Sequence, residues 1–275
     1  MPSTICFTLP CGESFDLIAT LISGQCFRWT AVSDTPPVCR GIAGDCSAII
    51  TQKGSVLEIT CDDIPDARQF WRRYLDLDTD YDAIRAEVIA MEPRLAPAAA
   101  RCAGLHILNQ QPWEALCSFI ISQNNNIPRI RAIIERICAL CAGFPPDSDI
   151  QHPFPSPHAV AALSEAQLRE AGCGYRTPYI IETARQVAEG SFALDTLYTL
   201  PVGEARESLQ SLHGVGPKVA DCVLLFGLHR LECFPRDTWI KKALAGDFRD
   251  TPLENSRYAG VAQQYIFEYI RQAGN

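Results

Sequence analysis

The stretch SLHGVGPKVADCVLLFGLHRLECFPRDTWIKKAL, from Ser211 to Leu244, decides the fold of this chain. It contains a glycine turn, an apolar helix and, after a proline, a second helix that begins near an aspartate. Gly214 and Gly216 permit positive φ and a close approach of the backbone to another molecule. The exposed amides that follow would attract an anion such as a nucleic-acid phosphate, and a monovalent or divalent cation could share the loop. A tight turn between two helices, with Pro217 at the first helical position, explains the same residues.

Lys218 and Asp237 add chemistry to this stretch. An ammonium at the edge of an apolar helix loses hydration, which favours the neutral and nucleophilic amine. Cys222 falls one turn later on the same face, where it either tunes the lysine or packs in the core. Asp237 follows Pro235 at an expected helix N-cap, and its carboxylate could also stabilise a developing cation. Capping and catalysis do not exclude each other.

In the order of these features the stretch resembles the helix-hairpin-helix, Gly/Pro-loop, aspartate superfamily of base-excision DNA glycosylases. Further matches narrow the resemblance to the 8-oxoguanine DNA glycosylase/lyases, and it looks closest to their bacterial branch. The resemblance implies that Lys218 attacks the sugar C1′ and that Asp237 assists. It also implies that Cys222 lies against the extruded base, and that Gly214, Gly216 and Trp239 contact the DNA.

Two separated motifs match the base-recognition residues of that family. Gly24 opens the segment GQCFRW, and its carbonyl would accept a hydrogen bond from the N7–H that only the oxidised base carries. Gln263 and Phe267 are one turn apart in a predicted helix from Asn255 to Gln272, and the matching residues bind the Watson–Crick edge of the base and stack on it. Without the resemblance, these residues are typical of a structural turn and an amphipathic helix.

Two more motifs match the residues that face the lesion and the opposite strand. In the run NNNIPRI, Asn124 would fill the gap left by the extruded base and Arg129 would contact the opposite cytosine. In GYRTPY, Tyr175 would wedge beside that cytosine and Arg176 would hydrogen-bond it. A capped turn and a half-buried packing tyrosine are the simpler interpretations of each motif.

The chain departs from the family at three positions of the central stretch. Trp239 stands where eukaryotic members often have histidine, Phe226 stands where they often have methionine, and Pro217 precedes the lysine. These differences concern the selectivity for the opposite base rather than the chemistry.

Composition limits the compartment and the cofactors. The 275 residues include 47% hydrophobic and 20% charged residues, which are values of a globular protein. No segment suits a membrane span or an export signal, so we expect no membrane association. The 13 cysteines are an odd and scattered set, which is typical of a reducing compartment, either a prokaryotic cytoplasm with its nucleoid or a eukaryotic nucleus. We expect a monomer that requires no cofactor, metal ion or organic group.

An iron–sulfur cluster occurs in some relatives after the aspartate and takes four cysteines. Here the last cysteine, Cys233, precedes Asp237, so we expect no such cluster. Cys138 and Cys141 form a CxxC pair inside a predicted helix, where core packing is their simplest role.

The net charge of −8 disfavours a nucleic-acid partner, because phosphate contacts need cations. A glycosylase, however, needs only a local basic face, and backbone amides of the hairpin reduce the cations required. The residues that would form this face are Arg129, Arg131, Arg136, Lys241 and Lys242.

We therefore predict a mostly α, α+β fold with an active-site cleft between its two parts. An N-terminal domain with an antiparallel sheet would cover residues 1–80, and a helical glycosylase domain would cover 81–275, with the hairpin at about 205–230. The predicted activity is removal of 8-oxoguanine opposite cytosine in duplex DNA, followed by β-elimination. Two alternatives remain, a glycosylase for another damaged or mismatched purine and a noncatalytic module that binds lesion DNA.

Overall fold

The structure is a computed structural model that describes residues 3–145 and 151–273. Within these residues the strands are β1 Thr4–Pro10, β2 Trp29–Asp34, β3 Pro37–Ala43, β4 Cys46–Lys53 and β5 Val56–Asp62. The helices are α1 Leu17–Ile22, α2 Ala67–Tyr74, α3 Tyr81–Met91, α4 Ala96–Arg101, α5 Pro112–Ile121, α6 Ile127–Cys141, α7 Pro157–Ala161, α8 Glu165–Glu170, α9 Thr177–Ala188, α10 Val202–Gln210, α11 Pro217–Gly227, α12 Thr238–Ala245 and α13 Ala259–Ala273. Short 3₁₀ turns cover Pro93–Leu95, Gly174–Arg176, Leu194–Tyr198 and Pro252–Asn255.

The five strands form one antiparallel sheet in the order β1-β5-β4-β3-β2. Residues alternate between buried and more exposed along β5, and Leu57 and Ile59 on the inner face are fully buried. Such alternation is what a sheet with one covered face requires. This face packs with Leu17 of α1 and Trp71 of α2 in one apolar cluster. Asp16 caps α1 by accepting from the amide of Ala19.

A second and larger apolar cluster joins the helices from α3 to α13. Helices α5 and α11 lie against each other at its centre, where a methyl group on Gly227 would already touch Ala115 and Pro112. The Phe119 and Phe226 rings stack across this contact with centroids 5.3 Å apart. Among the described residues, no helix combines the length and apolar character that a bilayer crossing demands.

Gln25 connects the segment after α1 to the chain between α4 and α5. Its side-chain amide donates to the carbonyls of Thr20 and His106, and its oxygen accepts from the amide of Leu108. Gln110 in turn donates to the Gln25 carbonyl at 2.7 Å. A fully buried amide with its polar atoms satisfied resists displacement, because opening it would strand several groups without partners. This network fixes the backbone next to Gly24.

The predicted fold class is confirmed: a five-stranded antiparallel sheet precedes a predominantly helical part that contains a helix-hairpin-helix. The strands end at Asp62, and α2 still belongs to the apolar cluster of the sheet, whereas α3 belongs to the helical cluster. A domain boundary near residue 80 stays a prediction.

Candidate active site

The hairpin between α10 and α11 depends on Gly214. This residue has φ +81°, and a methyl group on it would overlap the Tyr179 ring, so two independent reasons favour glycine. Gly216 differs, because its φ is −92° and no atom lies within 4 Å of the place where a side chain would begin. The expectation of positive φ is therefore right for Gly214 and wrong for Gly216, which serves as the N-cap of α11 and leaves open space beside the backbone.

Lys218 lies in the first turn of α11 and is only partly buried. Its ammonium donates to the Ser122 hydroxyl at 3.1 Å and lies 5.2 Å from the centre of the Phe119 ring. The hydroxyl and the ring hold the nitrogen in place. Within the described residues, Lys218 has no carboxylate in ion-pair contact, so its nitrogen is not neutralised by a partner.

Cys222 follows Lys218 by one turn and is almost fully buried. Burial raises the pKa of its thiol to about 11, and the nearby Lys218 only partly opposes that rise. The thiol therefore stays protonated at neutral pH and is a poor nucleophile. Its role beside Lys218 is therefore packing rather than attack.

Asp237 is the N-cap of α12, as predicted. One carboxylate oxygen accepts from the amide of Ile240 at 2.8 Å, and the backbone is extended there. The preceding Arg236 is ion-paired with Glu254, which fixes the segment that leads into the cap. The capping bond uses one carboxylate oxygen and leaves the second oxygen available to a cation.

Two concave spaces meet at these residues. The first, here called the outer groove, has a volume of about 800 Å³ and includes Gln123, Asn124, Gly216 and Lys241 in its lining. The second, here called the inner cavity, has a volume of about 590 Å³ and lies between the segment after α1 and the helices. Five residues line both spaces: Ser122, Asn125, Lys218, Asp237 and Trp239. The amine and the carboxylate thus stand at the opening between groove and cavity.

The inner cavity brings together the distant residues predicted to bind a base. It is lined by Gly24, Cys222, Gln263 and Phe267, and also by Phe226. Gly24 has φ +84°, and a methyl group on it would lie 3.5 Å from the Phe267 ring and 3.2 Å from Ile127. Gln263 is almost fully buried, and its side-chain oxygen accepts from Gln264 at 2.9 Å. The cavity therefore offers a planar ring, an amide and a backbone turn in one space.

Arg176 supports the turn between α5 and α6, which is here called the tip. Its guanidinium is almost fully buried and donates to the carbonyls of Gln123, Asn124 and Cys173. Tyr175 is 54% exposed, and its hydroxyl also donates to the Gln123 carbonyl. In this structure Arg176 thus supports the tip, and its predicted bond to a cytosine stays a prediction.

Asn124 stands exposed at that tip with φ +47°, a conformation that few residues other than glycine adopt. Gln123 ties the tip to the hairpin, since its side chain donates to the Gly214 carbonyl at 3.0 Å. Arg129 is exposed in the first turn of α6, and Trp239 is 45% exposed in the first turn of α12. Of the residues predicted to bind DNA, Asn124, Gly216 and Trp239 line the outer groove.

No group of three or more His, Cys, Asp or Glu residues that could hold a metal ion occurs in the part of the chain that the structure describes. All thirteen cysteines are free thiols. The cation at the hairpin stays a prediction.

Sequence reasoning did not identify several residues that build the site. Ser122 and Phe119 position Lys218, and their only signal is a place at the end of an apolar helix, next to the asparagine run. Arg131, predicted to contribute to the local basic face, lines the inner cavity. Its position one turn after Ile127 could have indicated this, because both residues then share one helix face.

Comparison with known proteins agrees with this geometry. Residues 8–116 match the family model "8-oxoguanine DNA glycosylase, N-terminal domain", and residues 117–256 match the model "HhH-GPD superfamily base excision DNA repair protein". A Saccharomyces cerevisiae N-glycosylase/DNA lyase is 42% identical over 169 residues, which are 55% of this chain and 44% of that protein. The match therefore spans less than half of the yeast relative. A probable N-glycosylase/DNA lyase of Methanothermobacter thermautotrophicus is 29% identical over 97% of this chain and 96% of its own length.

Among solved structures, an 8-oxoguanine glycosylase/lyase of Clostridium acetobutylicum, bound to DNA with cytosine opposite the 8-oxoguanine, superposes with a TM-score of 0.87. It is 30% identical, and the match covers 100% of this chain and 99% of that one. The chain therefore belongs to the HhH-GPD superfamily of base excision DNA repair proteins and, within it, to the 8-oxoguanine DNA glycosylase family.

Proposed function

We propose that this protein is a bifunctional DNA glycosylase and abasic-site lyase that removes 8-oxoguanine opposite cytosine from duplex DNA. The observation that supports this best is the position of Lys218 and Asp237, which line both the outer groove and the inner cavity. A nucleotide whose base is in the cavity and whose phosphates are in the groove has its sugar at that opening. Base extrusion is the general solution for enzymes whose target atom is inaccessible inside a duplex.

Recognition of the base follows from the lining of the cavity. The Phe267 ring stacks on the purine, and the Gln263 amide bonds its Watson–Crick edge. The Gly24 carbonyl accepts from N7–H of 8-oxoguanine, whereas unmodified guanine presents a lone pair at N7 and is repelled. A site built for one donor rejects an analogue without it, because the buried acceptor is then left unpaired. Asn124 occupies the space vacated in the duplex.

Catalysis starts with the neutral amine of Lys218. Its nitrogen forms a bond to C1′ while the C1′–N9 bond breaks, and the bonding pair leaves with the base. The Asp237 carboxylate stabilises the positive charge that develops on the sugar. A proton from the lysine nitrogen neutralises the base, and ring opening of the sugar gives an imine. The imine acidifies the C2′ hydrogen, so loss of that proton expels the 3′ phosphate.

Borohydride trapping tests the nucleophile. A duplex with 8-oxoguanine opposite cytosine should yield a covalent adduct with the protein, because borohydride reduces the imine to a stable amine. Lys218→Gln should bind the same duplex without forming an adduct. Equal trapping by this variant would show that another residue attacks the sugar.

Substrate choice separates this function from its alternatives. The chain is also 28% identical, over 60% of its length, to a putative DNA-3-methyladenine glycosylase of Bacillus subtilis. A panel of duplexes with 8-oxoguanine, 3-methyladenine or mismatched adenine should show release of 8-oxoguanine at the highest single-turnover rate. Faster release of an alkylated purine would favour that alternative, and binding without release of any base would indicate a noncatalytic module.

A further inference from the structure

Arg131 lines the inner cavity, and neither the catalytic scheme nor the recognition scheme above uses it. It lies on the α6 face that carries Ile127, the residue nearest to Gly24, and is one turn further along. Burial raises the pKa of the Cys26 thiol, and Arg131 is a cation close enough to oppose that rise. Arg131 thus shares the lining of the cavity with Gly24 and Phe27.

The guanidinium of Arg131 is incompletely satisfied by the protein. Its Nε atom is buried without a hydrogen-bond partner, and among the described residues no carboxylate forms an ion pair with Arg131. Arg271 lines the same cavity but is neutralised, since it makes two bonds of 2.8 and 2.6 Å to Glu268. A buried donor without a partner costs free energy that a ligand acceptor would recover. Of the two arginines that line the cavity, Arg271 is therefore paired and Arg131 is not.

We propose that Arg131 is a catalytic residue that donates to a keto oxygen of the bound oxidised purine and stabilises the negative charge on that base as it leaves. This rests on the function proposed above and deepens it. The oxidised base presents O6, N7–H and O8 along one edge, and the Gly24 carbonyl takes the N7–H. Arg131, which lines the same cavity as Gly24, then meets one of the two flanking oxygens.

The benefit is larger in the transition state than in the ground state. When the C1′–N9 bond breaks, its electron pair stays on N9 and spreads through the ring onto the keto oxygens. A fixed cation in a cavity of low dielectric stabilises that charge without reorganisation at the moment of reaction. Arg131 thus acts on the leaving base while Asp237 acts on the sugar, and the two opposite charges are stabilised separately.

Arg131→Met tests the proposal because the protein catalyses two separable steps. Base release from an 8-oxoguanine duplex under single-turnover conditions should fall by roughly 10²-fold, as for loss of one oxyanion donor. Cleavage of a preformed abasic-site duplex has no leaving base, and its rate should stay within twofold of wild type. The abasic-site rate also shows that the variant is folded. Arg131→Lys should restore part of the base-release rate, since it retains the charge.

Arg271→Met is the matched control, because it removes a cation of the same cavity that is already paired. Its base-release rate should fall far less than that of Arg131→Met. Base release by Arg131→Met within twofold of wild type would overturn the proposal, and so would equal losses in base release and abasic-site cleavage. Failure of the wild-type protein to release 8-oxoguanine would instead overturn the function on which the proposal rests.

Discussion

Asp237 caps α12 through one carboxylate oxygen, which accepts from the amide of Ile240 at 2.8 Å. Asparagine caps helices about as well as aspartate does, but it carries no charge. Capping and electrostatic stabilisation can therefore be separated by one substitution. No single substitution separates the charge of Lys218 from its reach in this way, because no neutral side chain has the same length.

Asp237→Asn should leave the free energy of unfolding within about 0.5 kcal/mol of wild type and lower the single-turnover rate of base release by at least about 100-fold. Asp237→Ala should lose as much activity and a further ~1 kcal/mol of stability, since it also removes the cap. Urea titrations and rapid-quench assays on the same preparations measure both quantities. An Asp237→Asn protein with the wild-type rate would leave the carboxylate with only its capping role.

At the scale of elements, the hairpin contains two glycines with different requirements. Gly214 has positive φ and lies against the Tyr179 ring, whereas Gly216 has ordinary φ and faces open space. The first glycine is therefore needed by the fold itself. The second leaves room for whatever approaches the start of α11.

Gly214→Ala should destabilise the protein by more than about 2 kcal/mol, since left-handed strain and the overlap with Tyr179 add together. Gly216→Ala should cost under about 1 kcal/mol in stability and still weaken binding to a lesion duplex, because its methyl group points into the groove. Thermal unfolding and fluorescence-anisotropy titrations distinguish the two effects. Unchanged DNA affinity in Gly216→Ala would argue against a phosphate contact at this turn.

The elements that follow local rules were predictable from sequence. The cap at Asp237, the turn at Gly214 and the apolar helix after Lys218 are each specified within a few residues. The strand order was not predictable, because β1 pairs with β5 across about 46 to 58 residues and no local signal states that pairing. The sequence also predicted Arg131 for the basic face and Arg176 for a bond to the opposite cytosine, but not that Arg131 lines the cavity or that Arg176 is almost fully buried. Whether an arginine turns toward solvent or inward depends on distant carbonyls and cavities.

At the scale of the whole molecule, Glu114 and His106 change the stability with pH in opposite directions. Burial raises the pKa of the Glu114 carboxyl to about 7, so its contribution is full below its unfolded value near 4.5 and is lost as the pH rises through 7. Burial lowers the pKa of His106 to about 4, so its contribution is full above its unfolded value near 6.5 and is lost as the pH falls toward 4. Between about pH 4.5 and 6.5 the loss from Glu114 and the gain from His106 offset each other, so the stability should be highest there and fall on both sides.

Glu114→Gln should remove the alkaline loss and raise the free energy of unfolding at pH 8.5 by about 1–3 kcal/mol, with little effect at pH 5. Glu165→Gln is the control, because that carboxylate is exposed in an i,i+4 pair with Arg169. Denaturant titrations across this pH range provide the measurement. A Glu114→Gln curve parallel to that of wild type would mean that Glu114 is ionised in the folded protein at neutral pH.

The net charge of −8 predicts that DNA binding depends on a few local cations and therefore on salt. Lys241 is exposed in the outer groove. Lys241→Ala should weaken binding to lesion and undamaged duplexes alike and reduce the slope of log K against log salt by about 1. Affinity measurements from 50 to 300 mM salt test this, and an unchanged slope would exclude a phosphate contact by Lys241.

The shared lining of groove and cavity has a consequence for undamaged DNA. We expect an undamaged duplex in the outer groove to keep its bases stacked. Its C1′ atoms then do not reach Lys218 and Asp237 with a base inside the inner cavity. In the proposed function, the Lys218 amine therefore needs no separate protection against cutting undamaged strands, because it meets C1′ only after the base has entered the inner cavity. Selectivity for the damaged base would then depend on which bases can enter the inner cavity, before the C1′–N9 bond breaks.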